Sequence, residues 1–519
     1  MSAARVVYHI ARADFLERVR RYSFLVMLGA VVFLGYQAGI GNFTVQLGDY
    51  RGEFNSAWVG GMLAIIASFM LGWFGFYLVK GSVARDRETG VGQIMATTPL
   101  TRPLYMLGKW LSNFVVFIAM VVVLAIVAFL IQLLAGESRQ FDFLALLTPF
   151  LFIALPMLAL TAALAVLFES IGFLQGGFGN IIYFILFAST ISAAITLGKN
   201  NPALDPLGLT LLQQSMGAAA KAIFPDYGGN FALGLTDTPI TGVFTWLGVD
   251  WTLDILLTRF MFFGVALALT LTSSIFFDRF DSSRVRTIRM TAQRHVSHPT
   301  PQSVPATQSL SSVHLTPLTA RPDSLAFTRV LFLELKLLLK GLRWWWFAIT
   351  GGLILAALLM KPEPVRAYIL PITWLLPVLV WSGMGSREMR HNVGQMVFSA
   401  AAPLTRQLPA TWLAGFIVTV LTGSGAFIKL SSAGDGEGLL AWFSAALFIP
   451  SLALALGIWS NSSKLFEVLY ISLWYLAINK VEAVDFYGAN SDGNIGFFLP
   501  LSLALIVASF IGRARQIQK

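Results

Sequence analysis

Cysteine is absent from the 519 residues of this chain, and charged residues are scarce. Without cysteine, the chain has no disulfide, no thiolate metal ligand and no cysteine nucleophile. Charged residues make up 12% of the sequence, whereas an ordinary soluble domain carries about 25%. So few charges cannot cover the surface of a soluble protein of this length. We therefore expect lipid to be the solvent for most of the chain.

Two further absences bear on catalysis. The sequence contains no G-x-x-x-x-G-K-[ST] pattern, so the usual phosphate-binding loop for ATP hydrolysis is missing. Its five histidines are scattered, and the acids of segment 199–253 lie among Gly and Pro without a base nearby. A membrane-embedded hydrolase would need paired acids or a nucleophile with its base. We expect no enzymatic activity, no cofactor and no metal site in this chain.

What the sequence has instead is long apolar runs. Hydrophobic residues make up 56% of it, and the mean hydropathy is +0.72. A bilayer core of about 30 Å is crossed by about 20 helical residues, and about twelve runs approach that length. They are continuous rather than alternating, which predicts an all-α polytopic protein and not a barrel. The runs are 22–40, 56–79, 110–135, 144–168, 178–198, 255–277, 344–360, 369–386, 410–428, 439–459, 465–479 and 496–512.

The net charge of +10 reflects membrane orientation rather than nucleic-acid binding. Basic residues collect in alternate connections between the runs, whereas connections such as 41–55 and 480–495 carry as much acid as base. Because positively charged connections stay in the cytoplasm, this pattern predicts that both termini are cytoplasmic.

A polar stretch divides the chain into two halves. Residues 279–326 are first basic and then rich in Pro, Ser and Thr, which predicts a flexible cytoplasmic linker. The predicted halves are 1–278 and 327–519, each with six runs. Each half opens with a charged, partly apolar stretch, 3–21 and 327–343, which we interpret as a helix lying in the membrane interface.

The two halves repeat each other. RDRETGVGQIM at 85–95 is followed by PLTR at 99–102, and REMRHNVGQMV at 387–397 is followed by PLTR at 403–406. The motifs occupy the same place, between the second and third runs of each half. Both halves also enter from the same side of the membrane. We therefore predict two parallel six-helix repeats.

The duplicated loop resembles that of type 2 ABC exporter permeases. In that family the loop between the second and third helices forms a coupling helix, which seats in the groove of a separate ATP-binding subunit. The resemblance implies coupling loops at 81–109 and 387–409. Their candidate contact residues are Asp86, Arg87, Glu88, Gly90, Pro99, Arg102, Lys109, Arg387, Glu388, Arg390, Pro403 and Arg406.

The same resemblance implies the membrane subunit of an exporter in a bacterial plasma membrane. Two copies of an ATPase subunit, which hold the ATP and Mg²⁺, would be its partners, along with membrane lipid. The second half departs from the motif: Arg390 replaces Glu88, Asn392 replaces Gly90, and no counterpart of Lys109 follows. These departures predict unequal halves. The long external segment 199–253 is also unmatched in the second half, and a re-entrant helix near 207–222 is one interpretation of it.

An ion-coupled secondary transporter of six-plus-six layout is the alternative. Such carriers need ionisable residues within the membrane. The runs contain almost none, since Arg259 and Glu467 lie near run ends, which favours an external ATPase. Asn113, Gln132 and Asn180 are polar residues within runs, and we expect them to join helices rather than bind cargo. Uncharged, aromatic spans favour an amphipathic or lipidic cargo.

Overall fold

The computed structural model describes residues 3–138, 140–235, 240–278, 280, 326–340, 342, 344–400, 402–479, 481–488 and 495–518. Apart from residues 280 and 326, the predicted linker 279–326 lies outside these described residues. The chain divides into two compact units, Met1–Arg286 and Thr287–Lys519, which we call the first and second units.

Helices dominate the first unit. It contains α1 (Ala3–Val19), α2 (Tyr22–Gly39), α3 (Ser56–Val79), α4 (Ser82–Glu88), α5 (Val91–Ala96), α6 (Arg102–Ala135), α7 (Phe143–Pro149), α8 (Leu155–Ser170), α9 (Gly177–Leu197), α10 (Leu209–Ile223) and α11 (Leu253–Phe276). A π-helical turn, Phe150–Ala154, joins α7 to α8. Four short strands complete the unit: β1 (Phe43–Gln46), β2 (Tyr50–Gly52), β3 (Ala232–Leu235) and β4 (Gly242–Phe244).

The second unit is helical throughout its described residues. Its longer helices and its loop helices are α12 (Ala326–Leu339), α13 (Trp344–Leu359), α14 (Arg387–Arg390), α15 (Gly394–Phe398), α16 (Leu408–Ala433), α17 (Gly436–Ser460), α18 (Lys464–Ile478) and α19 (Ile495–Ile517). Between α13 and α14 lie four short helical pieces, Pro362–Pro364, Val365–Ile369, Leu370–Leu375 and Val378–Trp381. A π-helical turn, Pro403–Gln407, leads into α16.

Most residues of each predicted apolar run are helical, and the all-α polytopic prediction is confirmed. Among the described residues, eight helices are long and apolar enough to cross a bilayer, or ten if each of two bent pairs is one span. Twelve spans are therefore not confirmed. The eighth run, 369–386, is broken into short pieces at prolines, and the eleventh forms only the 15 residues of α18.

The bent pairs are the two predicted interfacial helices with the helices that follow them. Helix α1 makes an angle of 74° with α2, and α12 makes an angle of 100° with α13. A bend this large prevents both members of a pair from lying along the membrane normal. The geometry agrees with a lead-in helix that lies across the end of a spanning helix.

Helix α3 lies at the centre of the first unit, where it packs against α6, α7 and α8. Most of its residues are buried. Glycines allow this close packing, because a Cβ at Gly60 would stand 2.4 Å from the carbonyl oxygen of Leu146, and one at Gly75 would stand 2.5 Å from the Phe117 ring. Small residues bring helix backbones together where lipid supplies no hydrophobic driving force.

At one end of α3, which we call the sheet end, the segment before α3 pairs with residues of the segment 199–253. Strand β1 pairs antiparallel with β3, and β2 pairs parallel with β4. Helix α10 packs against β2 and β4. The helix expected near 207–222 is therefore present as Leu209–Ile223, and Met216 on it lies close to Gly61 of α3. The opposite end of α3, next to α4 and α5, is the loop end.

Three buried tryptophans form hydrogen bonds to α16 in the core of the second unit. The indole N–H groups of Trp374, Trp381 and Trp442 donate to three carbonyl oxygens of α16, at distances of 3.1 to 3.2 Å. All three side chains are buried. One acceptor, Gly423, has no side chain, and a Cβ there would stand 2.8 Å from Trp442 Nε1 and 2.9 Å from Trp374 Nε1. Each buried indole donor is thereby satisfied, as the low dielectric requires.

An ion pair closes the sheet end of the first unit. Arg51 of β2 donates to both carboxylate oxygens of Glu137, which follows α6, and the Phe54 N–H donates to the same carboxylate at 2.9 Å. The Arg51 guanidinium holds the pKa of Glu137 below its ordinary value, and partial burial opposes that shift. The pair therefore stabilises the fold above the ordinary glutamate pKa, and its contribution disappears as the pH falls through the lowered value.

We predict that Glu137→Gln lowers the free energy of unfolding of the purified protein at about pH 7. The loss should be less than about 1 kcal/mol, because the pair is partly exposed, and the melting temperature should fall slightly. At about pH 3 the difference between the variant and the unchanged protein should be smaller, because protonation of the glutamate removes the charge on which the pair depends. Thermal unfolding at both pH values measures the difference. A difference that is equal or larger at acid pH would contradict this role.

Candidate functional site

The duplicated loops share one backbone architecture. In the first unit, α4 and α5 precede α6, and in the second, α14 and α15 precede α16. Gly90 separates the first pair with a φ of +75°, and the aligned Asn392 separates the second with a φ of +54°. Asparagine is among the few residues that tolerate the left-handed region. The replacement of Gly90 by Asn392 therefore leaves the conformation of the loop unchanged.

A buried lysine joins the first loop to two other elements. The Nζ of Lys109, on α6, lies 2.7 Å from Asp14 Oδ2 on α1 and 2.6 Å from Asp86 Oδ2 on α4. The lysine side chain is 0% exposed, and the Tyr105 hydroxyl donates to Asp86 at 2.7 Å. We call Asp14, Asp86 and Lys109 the Lys109 cluster. It fixes the interfacial helix, the loop and a long apolar helix in one arrangement.

Arginines extend this arrangement along α1. Arg85 of α4 donates to Asp14 at 2.9 Å and also to Glu17. Arg18 of α1 is buried, and its Nη1 donates to Asn113 Oδ1 of α6 at 2.5 Å. Burial lowers the pKa of the Arg18 guanidinium below its ordinary value, while the nearby Asp14 carboxylate opposes the shift. Helix α1 is thus attached to the first loop and to α6 by charged hydrogen bonds.

A buried glutamate holds the start of α4. Glu169, at the loop end of α8, is 3% exposed. Its Oε1 accepts from the N–H groups of Gly81 and Ser82 at 2.5 and 3.0 Å, and its Oε2 accepts from those of Val83 and Ala84 at 2.5 and 3.2 Å. These are the N–H groups that a helix leaves without internal partners. Glu169 was not among the residues predicted from the sequence, although an acid directly after the apolar run 144–168 was a signal.

The second loop has related pairs with different neighbours. Arg387, which aligns with Arg85, pairs with Glu334 of the interfacial helix α12. Glu388, which aligns with Asp86, is buried and lies 3.4 Å from Arg513 of α19 and 3.1 Å from the donor Gln407. The buried acid of the loop is therefore joined to the last helix in this unit, and to α6 in the first.

The twelve predicted contact residues fall into three groups by exposure. Exposed residues are Arg87, Glu88, Pro99, Arg102 and Arg390; half-buried ones are Gly90, Arg387, Pro403 and Arg406; buried ones are Asp86, Lys109 and Glu388. The buried three bind other residues of this chain, so their role is to support the loops. Sequence reasoning also missed two exposed apolar residues at aligned positions, Ile94 on α5 and Met396 on α15, which are 69% and 72% exposed.

Ionisable residues at the ends of the runs, or directly beside them, are buried. Lys109, Arg259 and Glu467 are all buried. Arg259 donates to the Asp205 carbonyl at 2.7 Å, and Asp205 in turn accepts from the first N–H groups of α10. A charge can be buried at a helix end when partners of opposite charge or polar groups lie beside it. The hydropathy of an apolar run does not show whether such partners lie beside its ends.

Two of the three polar residues within runs join helices as expected. Asn113 of α6 donates to the Ala162 carbonyl of α8 at 3.4 Å, and Asn180 of α9 accepts from Lys80 Nζ, next to the end of α3, at 2.6 Å. Gln132 instead donates to the Ser138 carbonyl in the turn just after its own helix. Within the described residues, no group of three or more His, Asp or Glu side chains is placed to hold a metal ion.

The apolar helices and their charged loops define a multi-pass membrane protein. In a comparison with known families, residues 35–216 match the profile described as ABC-2 family transporter protein. This segment, which runs from α2 into α10, is similar to the membrane domains of that family. The match confirms the resemblance predicted from the loop. No curated protein matches the chain.

We predict that Lys109→Met destabilises the protein by about 3–5 kcal/mol, because it leaves Asp14 and Asp86 buried without their cation. Arg102→Met, at the exposed start of the same helix, should change stability by less than about 0.5 kcal/mol. Thermal unfolding of both variants in mild detergent measures the difference. Equal melting temperatures for the two variants would show that the Lys109 cluster contributes nothing to stability.

Proposed function

We propose that this chain is the permease subunit of an ATP-driven exporter that uses a separate ABC ATP-binding subunit. The observation that carries the proposal is the pair of loops with the same two short helices, each presenting an exposed apolar residue beside exposed charges. The ABC-2 match over the first loop and its flanking helices supports it. Members of that family are membrane subunits and typically have no ATPase site of their own.

The docking surface would be the exposed side of each loop. On α5 and beside it, Ile94 would fill an apolar groove of the ATPase, and Arg87, Glu88 and Arg102 would pair with charges at the groove's rim. Met396 and Arg390 offer the same combination in the second unit. One ATPase copy would bind each loop, and ATP with Mg²⁺ would be held in those partner subunits.

The orientation and the cargo follow from the same proposal. We place the loop end and both termini in the cytoplasm of a bacterial plasma membrane, because the basic residues collect there. The sheet end would then face outward. An amphipathic or lipidic cargo suits spans that are aromatic and almost uncharged along their length.

The ion-coupled secondary transporter is the weaker alternative. Such a carrier would need an ionisable group free to bind and release a proton or a substrate within the membrane. Lys109, Glu169 and Arg259 are the buried ionisable residues whose contacts are described above, and each is held by several groups of the same chain. The ABC-2 match also favours the ATP-driven class.

We predict that an ATP-binding subunit copurifies with the tagged chain from its own membranes in mild detergent, at two copies per chain. Ile94→Ser should lower the retained ATPase by about tenfold, since a buried apolar contact is lost. Gln93→Ser, at the neighbouring exposed position, is the matched control and should retain it. A chain that purifies alone from several mild detergents would contradict the proposal.

A further inference from the structure

Glu169 occupies a position that the family match does not explain. Its carboxylate lies beneath the first turn of α4 and accepts from four consecutive backbone N–H groups, at 2.5 to 3.2 Å. Gly81, which begins the turn, has a φ of +116°, a conformation that favours glycine. Four donors on one buried carboxylate make an attachment to the backbone itself, so it does not depend on the side chains of the loop.

Glu169 also lies at one end of the long helical segment formed by α7 and α8. From Glu169, α8 runs to the π-helical turn Phe150–Ala154 and continues as α7 to the sheet end. There Asp142 caps α7, and its own N–H donates to the Ser56 hydroxyl at the start of α3, at 3.0 Å. A displacement of α4 would therefore pull on a segment that reaches the other end of the unit. The π-helical turn and Pro156 lie within it, where helices bend most readily.

The second unit has no such attachment among its described residues. Counted from the repeated proline, Pro156 or Pro450, the position of Glu169 is taken by Ser463, which lies beyond the end of α17. The N-cap residue of α14, Ser386, makes no side-chain hydrogen bond to the helix. Its loop is joined instead to α19 through Glu388 and Arg513. The two loops thus connect to different helices.

We propose that Glu169 is the positioning residue through which movement of the first loop is transmitted to α8 and α7. The inference rests on the proposed function, because the movement would be driven by the ATPase bound at the loop. The second loop would act on α19 instead, so the two units would respond differently to the same ATPase cycle.

Glu169→Gln tests this without changing the shape of the side chain. The amide offers one acceptor oxygen, and its NH₂ group faces N–H donors, so about half of the attachment is lost. Glu437→Gln, an exposed glutamate in the first turn of α17, is the matched control. Hydrogen exchange of the purified chain should show residues 81–84 exchanging about tenfold faster in Glu169→Gln, with α3 and α6 unchanged. Unchanged exchange at residues 81–84 would overturn the attachment.

A spin label on α7, at the far end of this segment, measures whether movement of the first loop is transmitted along α8. Because the chain has no cysteine, Leu144→Cys on α7 gives a single labelling site, and Leu144 is 71% exposed. In the complex with the copurified ATPase, ATP with vanadate should change the spectrum of a spin label at this site. Glu169→Gln should abolish the change while ATP hydrolysis continues, and Glu437→Gln should preserve it. A spectral change that survives Glu169→Gln would overturn the inference.

The same experiment separates this inference from the proposed function. If no ATPase binds the unchanged chain, the proposed function fails, and the transmission role fails with it. The hydrogen-exchange result would then establish Glu169 only as a structural cap. If the ATPase binds and the label responds equally in both proteins, the proposed function stands and the role of Glu169 is refuted.

Discussion

A lysine ammonium buried between two carboxylates is the interaction on which the loop end of the first unit depends. An ionised group without water must have partners of opposite charge close by, and removing one partner leaves an uncompensated charge. Lys109 meets this requirement with Asp14 and Asp86. These three residues lie on α6, α1 and α4. The contacts that neutralise the lysine charge therefore hold three helices together. The interfacial helix and the loop therefore have one arrangement relative to the helix that crosses the membrane.

The second unit meets the same constraint with other residues. The loop acid is retained, as Glu388, but no lysine follows at the place of Lys109, and Arg513 of α19 supplies the positive charge. The arginine that joins each loop to its interfacial helix is also retained, as Arg85 and Arg387. The two loops are thus supported by ion pairs of the same kind, whereas the helix that pairs with the loop acid differs. The inequality of the two halves lies in these connections rather than in the loop backbone.

Much of the fold was predictable because hydropathy and repetition are local signals. Most residues of each apolar run are helical, and the aligned motifs at 85–95 and 387–397 adopt the same pair of short helices. Contacts between distant segments were not predictable. The pairing of β1 with β3 joins residues on either side of eight helices, and nothing in either strand specifies its partner. The breaks in the run 369–386 follow its prolines, which a hydropathy average conceals.

The sequence predicted where the candidate site lies, but not which of its residues are buried and which are exposed. Motif reasoning grouped Asp86 with Arg87 and Glu88, yet the first is buried and the other two are exposed. Which face of a short helix is buried depends on what packs against it, here α8 and side chains of α6. Glu169 was missed for the same reason, since its donors are backbone N–H groups more than eighty residues away. Ile94 and Met396 are uncharged, so the charge pattern of the loops does not identify them as contact residues. Only their exposure in the structure does so.

The most direct test of the account is site-specific photocrosslinking in native membranes. A photoreactive residue would replace Ile94 or Met396 in turn, and Thr241 at the sheet end would serve as the control. The account predicts that both loop positions crosslink to the same ATP-binding protein and that the control position does not. Crosslinks from neither loop, or equal crosslinks from Thr241, would contradict the claim that these loops are the docking surface of an ATPase.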